Sequence, residues 1–112
     1  MVEECVIYNS TAFQQTKEDG TEEITGNVTE VGLIKYLAAS GADVKAAIGR
    51  REALEMPFAI PFSSKRKRAT TAYKIGDKYR VFVKGAPEVV IKRCDRYLAA
   101  GGDVRELTEA EK

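Results

Sequence analysis

The chain has 112 residues, 44% of them apolar and 31% charged, a composition of folded globular domains that sets aside chain-wide disorder. Eighteen lysines and arginines against seventeen aspartates and glutamates leave a net charge of +1, so no overall field draws nucleic acid or an anionic membrane and any anion site must be local. No apolar run approaches the ~20 residues of a membrane span, the N-terminus carries acids where a signal peptide is basic, and the lack of histidine beside two widely spaced cysteines argues against a zinc site.

One domain over residues 1–112 is the expected organisation. The first segment, MVEECVIYNSTAF, is apolar enough to be ordered but too short to assign to helix or strand. QQTKEDGTEEITGN is polar, holds Gly20 and Gly26, and reads as a surface turn with a short strand around Glu22–Thr25. From Thr29 the pattern turns helical, with Val31, Ile34, Leu37 and Ala38 on one stripe that Leu33 widens. Asn27 is its cap, Glu30 stands at the capping-box position and Gly41 is the stop. A second short helix is expected over Asp43–Ile48, before GRRE breaks the apolar pattern.

LEMPFAIPF alternates like a strand, and Pro57 and Pro61 confine it to a sheet edge. ATTAYKIGDKYRVFVK holds two β-rich runs around Gly76 and Asp77, the composition of a tight hairpin. After Lys84 the segment APEVVIKRC starts a helix with Pro87 in its first turn and Glu88 beside it. CDRYLAAGGDVREL reads as strand, Gly-Gly turn and strand, and TEAEK opens like a helix with Thr108 as cap and Glu111 at the box position. A chain stopping one turn into a helix is expected to be a piece cut from something longer. Cys5 and Cys94 fit two small core residues in a reducing compartment.

Three places carry chemistry. Lys84 and Gly85 sit at a strand-to-helix seam, where backbone N–H groups attract anions, glycine admits close approach and lysine adds a full charge; the rival reading is a plain turn with a solvated lysine. In PFSSKRKRATT, Phe62 precedes Lys65, Arg66, Lys67 and Arg68, so a ring to stack on a base stands beside cations for phosphates; the rival puts Phe62 in the core and the basic run in solvent. Glu30 has the chemistry to accept from an adenine amino group, or to close its capping box. The spacing at Gly85 is neither a P-loop nor a dinucleotide fingerprint, and with no histidine no catalytic triad can be built, so no catalytic residue is assigned.

In their order and separation, GNVTEVGLIKYL, PFSSKRKRATT and VFVKGAPEVVIKRC resemble three segments of the nucleotide-binding domain of P-type ATPases, most closely the calcium-pump branch, over Gly26 to Cys94. The KGAPE segment is the most specific of the three. The resemblance implies an α/β (α+β) fold with a mainly antiparallel sheet flanked by helices, short of its C-terminal end. It implies that Phe62 stacks on adenine, that Lys84 lines the same pocket with Gly85 and Ala86 as its floor, that Glu30 faces the adenine amino edge and that Lys67 lies toward the triphosphate. Ser64 stands where reticulum-type pumps carry a phosphate-contacting arginine, and Ala69 where many relatives have methionine.

The implied ligand is ATP as its magnesium complex, with magnesium held mainly by the phosphates and a phosphorylation domain. The implied partners are that domain and the actuator domain of the same parent chain, without nucleic acid and without membrane insertion by this segment, at the cytosolic face of a membrane. The D-K-T-G-T phosphorylation segment is absent, so ATP would be carried to an aspartate elsewhere. The alternative reading is a small interaction or nucleic-acid-binding module built on residues 65–68.

Overall fold

Apolar stripes on three helices and one face of a sheet set the packing. The computed structural model describes residues 2–112. Helix α1 spans Val2–Tyr8, settling the segment that periodicity left open, and buries Ile7. Helix α2, Val28–Ala39, begins at Asn27, whose side-chain oxygen accepts from the N–H groups of Thr29 and Glu30; it buries Ile34 and Leu37 and stops at Ser40 and Gly41, the latter with φ +95°. Helix α3, Val44–Glu52, is capped by Asp43, which accepts from Ala46 N–H. It runs past the expected end at Ile48, because Ala47, Ile48 and Arg51 fall on one buried face and Arg51 extends that face rather than breaking it. Ile7, Ala12, Ile34, Leu37, Ala47 and Ile48 form the core between these helices.

Among the described residues the strands form three antiparallel sheets. β1 (Phe13–Thr16) and β2 (Glu22–Thr25) make a hairpin, so the polar stretch expected to be mainly loop has two paired strands. The main sheet has the order β3-β4-β5, with β3 Phe58–Ile60 at an edge between Pro57 and Pro61, β4 Arg68–Ile75 and β5 Lys78–Gly85. Gly76, at φ +65°, turns β4 into β5. β6 (Arg96–Leu98) and β7 (Val104–Glu106) pair around the Gly-Gly turn. The expected α/β fold with antiparallel sheets and flanking helices is therefore present, with the strands divided among three sheets rather than one.

The pleat aims Thr71, Tyr73 and Phe82 at one face, where Tyr8 of α1 meets both rings, stacked on Phe82 with ring centres 5.3 Å apart and edge-on to Tyr73 at 5.1 Å. After β5, Pro87–Val90 forms the one-turn helix α4, followed by a 3-10 turn at Ile91–Arg93. Past β7, Glu111 accepts from both the N–H and the hydroxyl of Thr108, the expected capping-box contacts, and residues 109–111 form a turn.

Between α1 and β1 the chain is irregular yet buried at Asn9, Ser10 and Ala12. Buried backbone polar groups need partners, and here side chains from other elements supply them. Arg51, 7% exposed, donates to the carbonyls of Ile7 (3.3 Å), Ser10 (3.0 Å) and Ala12 (2.7 Å). Thr71 donates to the Tyr8 carbonyl, and the Asn9 amide donates to the carbonyls of Ala69 and Phe82. Replacing Arg51 with alanine would leave three carbonyls short of a donor. At ~1–3 kcal/mol for each buried group left unsatisfied, Arg51→Ala is expected to destabilise the fold by about 3 kcal/mol or more in urea unfolding; a loss under ~1 kcal/mol would show that water replaces the guanidinium.

Candidate functional site

The β4 to β5 register sets Lys84 opposite Ala69 and on the same face as Phe82, which directs its side chain back toward α1 and α2. Its ammonium meets Glu30 Oε1 at 2.8 Å and also donates to the Asn9 carbonyl. The pair is largely withdrawn from solvent, with side-chain exposures of 27% for Lys84 and 15% for Glu30. A solvated lysine at a plain turn, the rival reading of this position, is not what the chain builds.

Glu30 does not close a capping box. Asn27 caps α2, but the Glu30 carboxylate turns the other way: Oε2 accepts from both the N–H and the hydroxyl of Thr11, each at 3.2 Å, while Oε1 takes Lys84. Burial pushes the Glu30 carboxyl upward, yet the hydrogen bonds from Lys84 and Thr11, with the lysine charge, outweigh it and hold the group below the usual carboxylate range. Lys84 acts on Cys5 as well: burial raises that thiol, and the lysine charge opposes the rise.

Glu30 and Lys84 form part of the wall of a hollow of about 570 Å³, which Asn27, Thr29, Leu33, Phe62 and Gly85 complete. Ligand pockets commonly measure ~300–1,000 Å³, so a molecule of nucleotide size is within range. Phe62 is 60% exposed, which rules out the reading that buried it in the core. It lines the same hollow as Lys84, a residue 22 positions away in the chain. Of the expected site residues, Glu30, Phe62, Lys84 and Gly85 therefore converge on one hollow, whereas Ser64, Lys67 and Ala86 contribute nothing to its lining.

Ser64 and Lys67 are exposed on the turn that follows Phe62. That turn is tightly held: the Ser63 hydroxyl accepts from Arg66 N–H, the Ser63 carbonyl accepts from Lys67 N–H at 2.7 Å, and Lys67 adopts φ +54°. The Lys67 carbonyl in turn accepts from Ala86 N–H, tying the turn to the seam after β5. Gly85 has a structural reason to be glycine: a Cβ there would collide with the Lys67 carbonyl and lie 2.7 Å from Arg68 Cβ. The helix start expected to attract an anion is weak, because α4 has four residues, Pro87 has no N–H and that of Ala86 is committed. Lys84 is the cation that remains at the seam.

Thr29, Leu33 and Asn27 line the hollow without having been expected there, and Thr11, which holds Glu30, was not expected either. Leu33 looked like the edge of a core stripe, and only its 38% exposure in the wall of the hollow shows otherwise. A carboxylate with a lowered pKa supports the fold above the ordinary glutamate range, near 4.3, and loses that support as pH falls toward its folded value. Wild type is thus expected to exceed Glu30→Gln in urea-unfolding stability at pH 7, the gap narrowing on acidification below ~4.3; a gap constant with pH would contradict the charged pair.

The family described as P-type ATPase, cytoplasmic domain N, matches residues 1–112. Calcium-transporting ATPase PAT1 of Dictyostelium discoideum is 34% identical over 103 residues, covering 92% of this chain and 9% of that protein. Calcium-transporting ATPase 2 of Cryptococcus neoformans is 33% identical over 111 residues, covering 95% of this chain and 8% of its own length. Plasma membrane calcium-transporting ATPase 1 of Homo sapiens is 36% identical over 102 residues, with 88% and 8% covered. The chain spans about a tenth of the length of these relatives. With the family matched from end to end, the chain belongs to the P-type ATPases, as their cytoplasmic domain N.

Proposed function

We propose that this chain binds ATP, as the nucleotide-binding part of a P-type cation pump, with calcium the ion that the names of its relatives suggest. One observation carries the reading: Phe62 and Lys84, distant in sequence, wall the same hollow. An exposed ring supplies a stacking surface for a base, and the less exposed ammonium supplies a fixed positive charge. Glu30 spends three acceptor positions on Thr11 and Lys84. An ionised carboxylate has about four, so one is left to accept from the adenine amino group. Guanine would present a carbonyl there and meet a carboxylate instead.

Gly85 forms the floor beneath the base, Ala86 acts only by fastening the seam to the Lys67 carbonyl, and Ser64 and Lys67, exposed on the turn beside Phe62, meet the phosphates outside the hollow. The one carboxylate in the wall, Glu30, is already neutralised by the Lys84 ammonium and so does not fit as a magnesium ligand; the metal enters on the phosphates. In the parent protein, at the cytosolic face of a membrane, this unit presents ATP to an aspartate of a phosphorylation domain, and domain closure brings the γ-phosphate into line for attack. Among the described residues no helix is long and apolar enough to cross a membrane.

Base stacking on an aromatic side chain is worth ~1–3 kcal/mol by alanine substitution. Phe62→Ala is therefore expected to weaken ATP binding roughly 5- to 150-fold in an NMR titration while shifting stability by less than ~0.5 kcal/mol. ATP should bind more tightly than GTP. Shifts confined to residues 65–68, indifferent to the base and abolished by salt, would instead favour a basic interaction module.

A further inference from the structure

The ammonium of Lys84 is fixed by a relay that starts outside the hollow. Lys84 is held by Glu30 Oε1 and by the Asn9 carbonyl, and Glu30 is held through Oε2 by Thr11. Thr11 contributes two donors, its N–H and its hydroxyl, to a single oxygen, so the plane of the carboxylate cannot turn without losing both. Asn9, two residues earlier, is 2% exposed, and its amide is pinned to the carbonyls of Ala69 and Phe82 on neighbouring strands. The connection from α1 to β1 is thereby clamped to the main sheet at one residue and grips α2 at another. Thr11 lines no part of the hollow.

We infer that Thr11 is a positioning residue of this site: through Glu30 it sets where the Lys84 ammonium stands. This rests on the nucleotide reading for its consequence in binding, and on Thr11, Glu30 and Lys84 alone for its structural content. A carboxylate free to rotate would let Lys84 swing toward solvent, since a lysine stem has four rotatable bonds and its ammonium no directional preference. Held in place, the ammonium needs little further ordering when a ligand arrives, and preorganisation of this kind shows as affinity.

Thr11 is exposed, so its hydroxyl can be removed with little risk to the fold. Thr11→Val keeps the shape and the N–H but deletes the hydroxyl, whereas Thr11→Ser keeps both donors. Two readouts apply to the 112-residue chain: ATP affinity by NMR titration, and the acid titration of the Glu30 side-chain carboxyl, followed by carbon-detected NMR without nucleotide. Because the Thr11 hydrogen bonds help hold the Glu30 carboxyl below its ordinary range, losing one should move its midpoint up toward that range.

The expected result is a raised Glu30 midpoint and about three- to tenfold weaker ATP binding for Thr11→Val, with both restored in Thr11→Ser. A Thr11→Val protein that matches wild type in either readout overturns the inference, as does a Thr11→Ser protein as impaired as Thr11→Val. Failure of the nucleotide reading shows differently. Wild type would then give no saturable ATP shifts, and the Glu30 midpoint, which needs no nucleotide, alone decides whether Thr11 sets the ion pair.

Discussion

An irregular run of backbone between α1 and β1 has to be buried for the helices to meet the sheet, and the rest of the structure depends on how its polar groups are satisfied. Helices and strands satisfy their own N–H and C=O groups; residues 9–12 do so only in part, through Asn9 N–H to the Cys5 carbonyl and Ala12 N–H to the Ser10 hydroxyl. The remaining partners come from different elements: Arg51 of α3 reaches three carbonyls, Thr71 of β4 reaches Tyr8, Lys84 of β5 reaches Asn9, and Glu30 of α2 takes the N–H of Thr11. The two layers are thereby held together by polar contacts as much as by the apolar cluster around Ile7 and Ile34. A hub of this kind is unforgiving, because an orphaned buried group costs more than its hydrogen bond contributes in net terms.

Lys84 belongs both to that hub and to the wall of the hollow. On the inner face of β5 the pleat presents Arg80, Phe82 and Lys84 in succession, a ring flanked by two cations. Each cation finds a carboxylate on a helix packed nearby, Arg80 meeting Glu4 of α1 at 2.9 Å and Lys84 meeting Glu30 of α2 at 2.8 Å. Both distances suit charge-assisted hydrogen bonds, but the environments differ. The Arg80 pair is about half exposed on each side and contributes little. The Lys84 pair is withdrawn, so removing either partner leaves a poorly solvated charge. Substituting Lys84 therefore disturbs fold and site together, which is why the exposed Phe62 separates the two more cleanly.

Local chemistry made much of this legible. Asn27, Asp43 and Gly41 marked helix ends, Gly76–Asp77 marked the main hairpin, and two prolines marked β3 as an edge; each is a signal within four residues of its effect. The resemblance carried by KGAPE and its companion segments implies Phe62, Lys84, Gly85 and Glu30 as neighbours, and all four line one hollow. What stayed illegible is nonlocal. Nothing near Arg51 reveals that its partners are carbonyls about 40 positions earlier, so a cation in GRRE looked like the end of a helix. Thr11 and Asn9 look like linker residues because their partners lie on α2 and on β4 and β5. Glu30 carried two local readings, and a third contact from across the fold displaced the capping box.

The Phe62 turn shows why an exposed ring can still be a precise one. Pro61 fixes φ just before it, and the Pro61 carbonyl accepts from Arg66, whose other terminal nitrogen lies 3.5 Å from the Thr70 hydroxyl. Ser63 closes the turn through both its hydroxyl and its carbonyl, and the Lys67 carbonyl fastens it to Ala86. Lys67 takes a left-handed conformation to make this possible, at a cost of order 1 kcal/mol for a residue with a side chain. None of these contacts buries Phe62, so they do little for the ring as a hydrophobic group. They restrict where its backbone can go, and the basic residues that shape the turn thereby do for the ring what Thr11 and Glu30 do for the ammonium. Two independently braced groups in the wall of one hollow lower the ordering cost of any flat, anionic ligand that touches both.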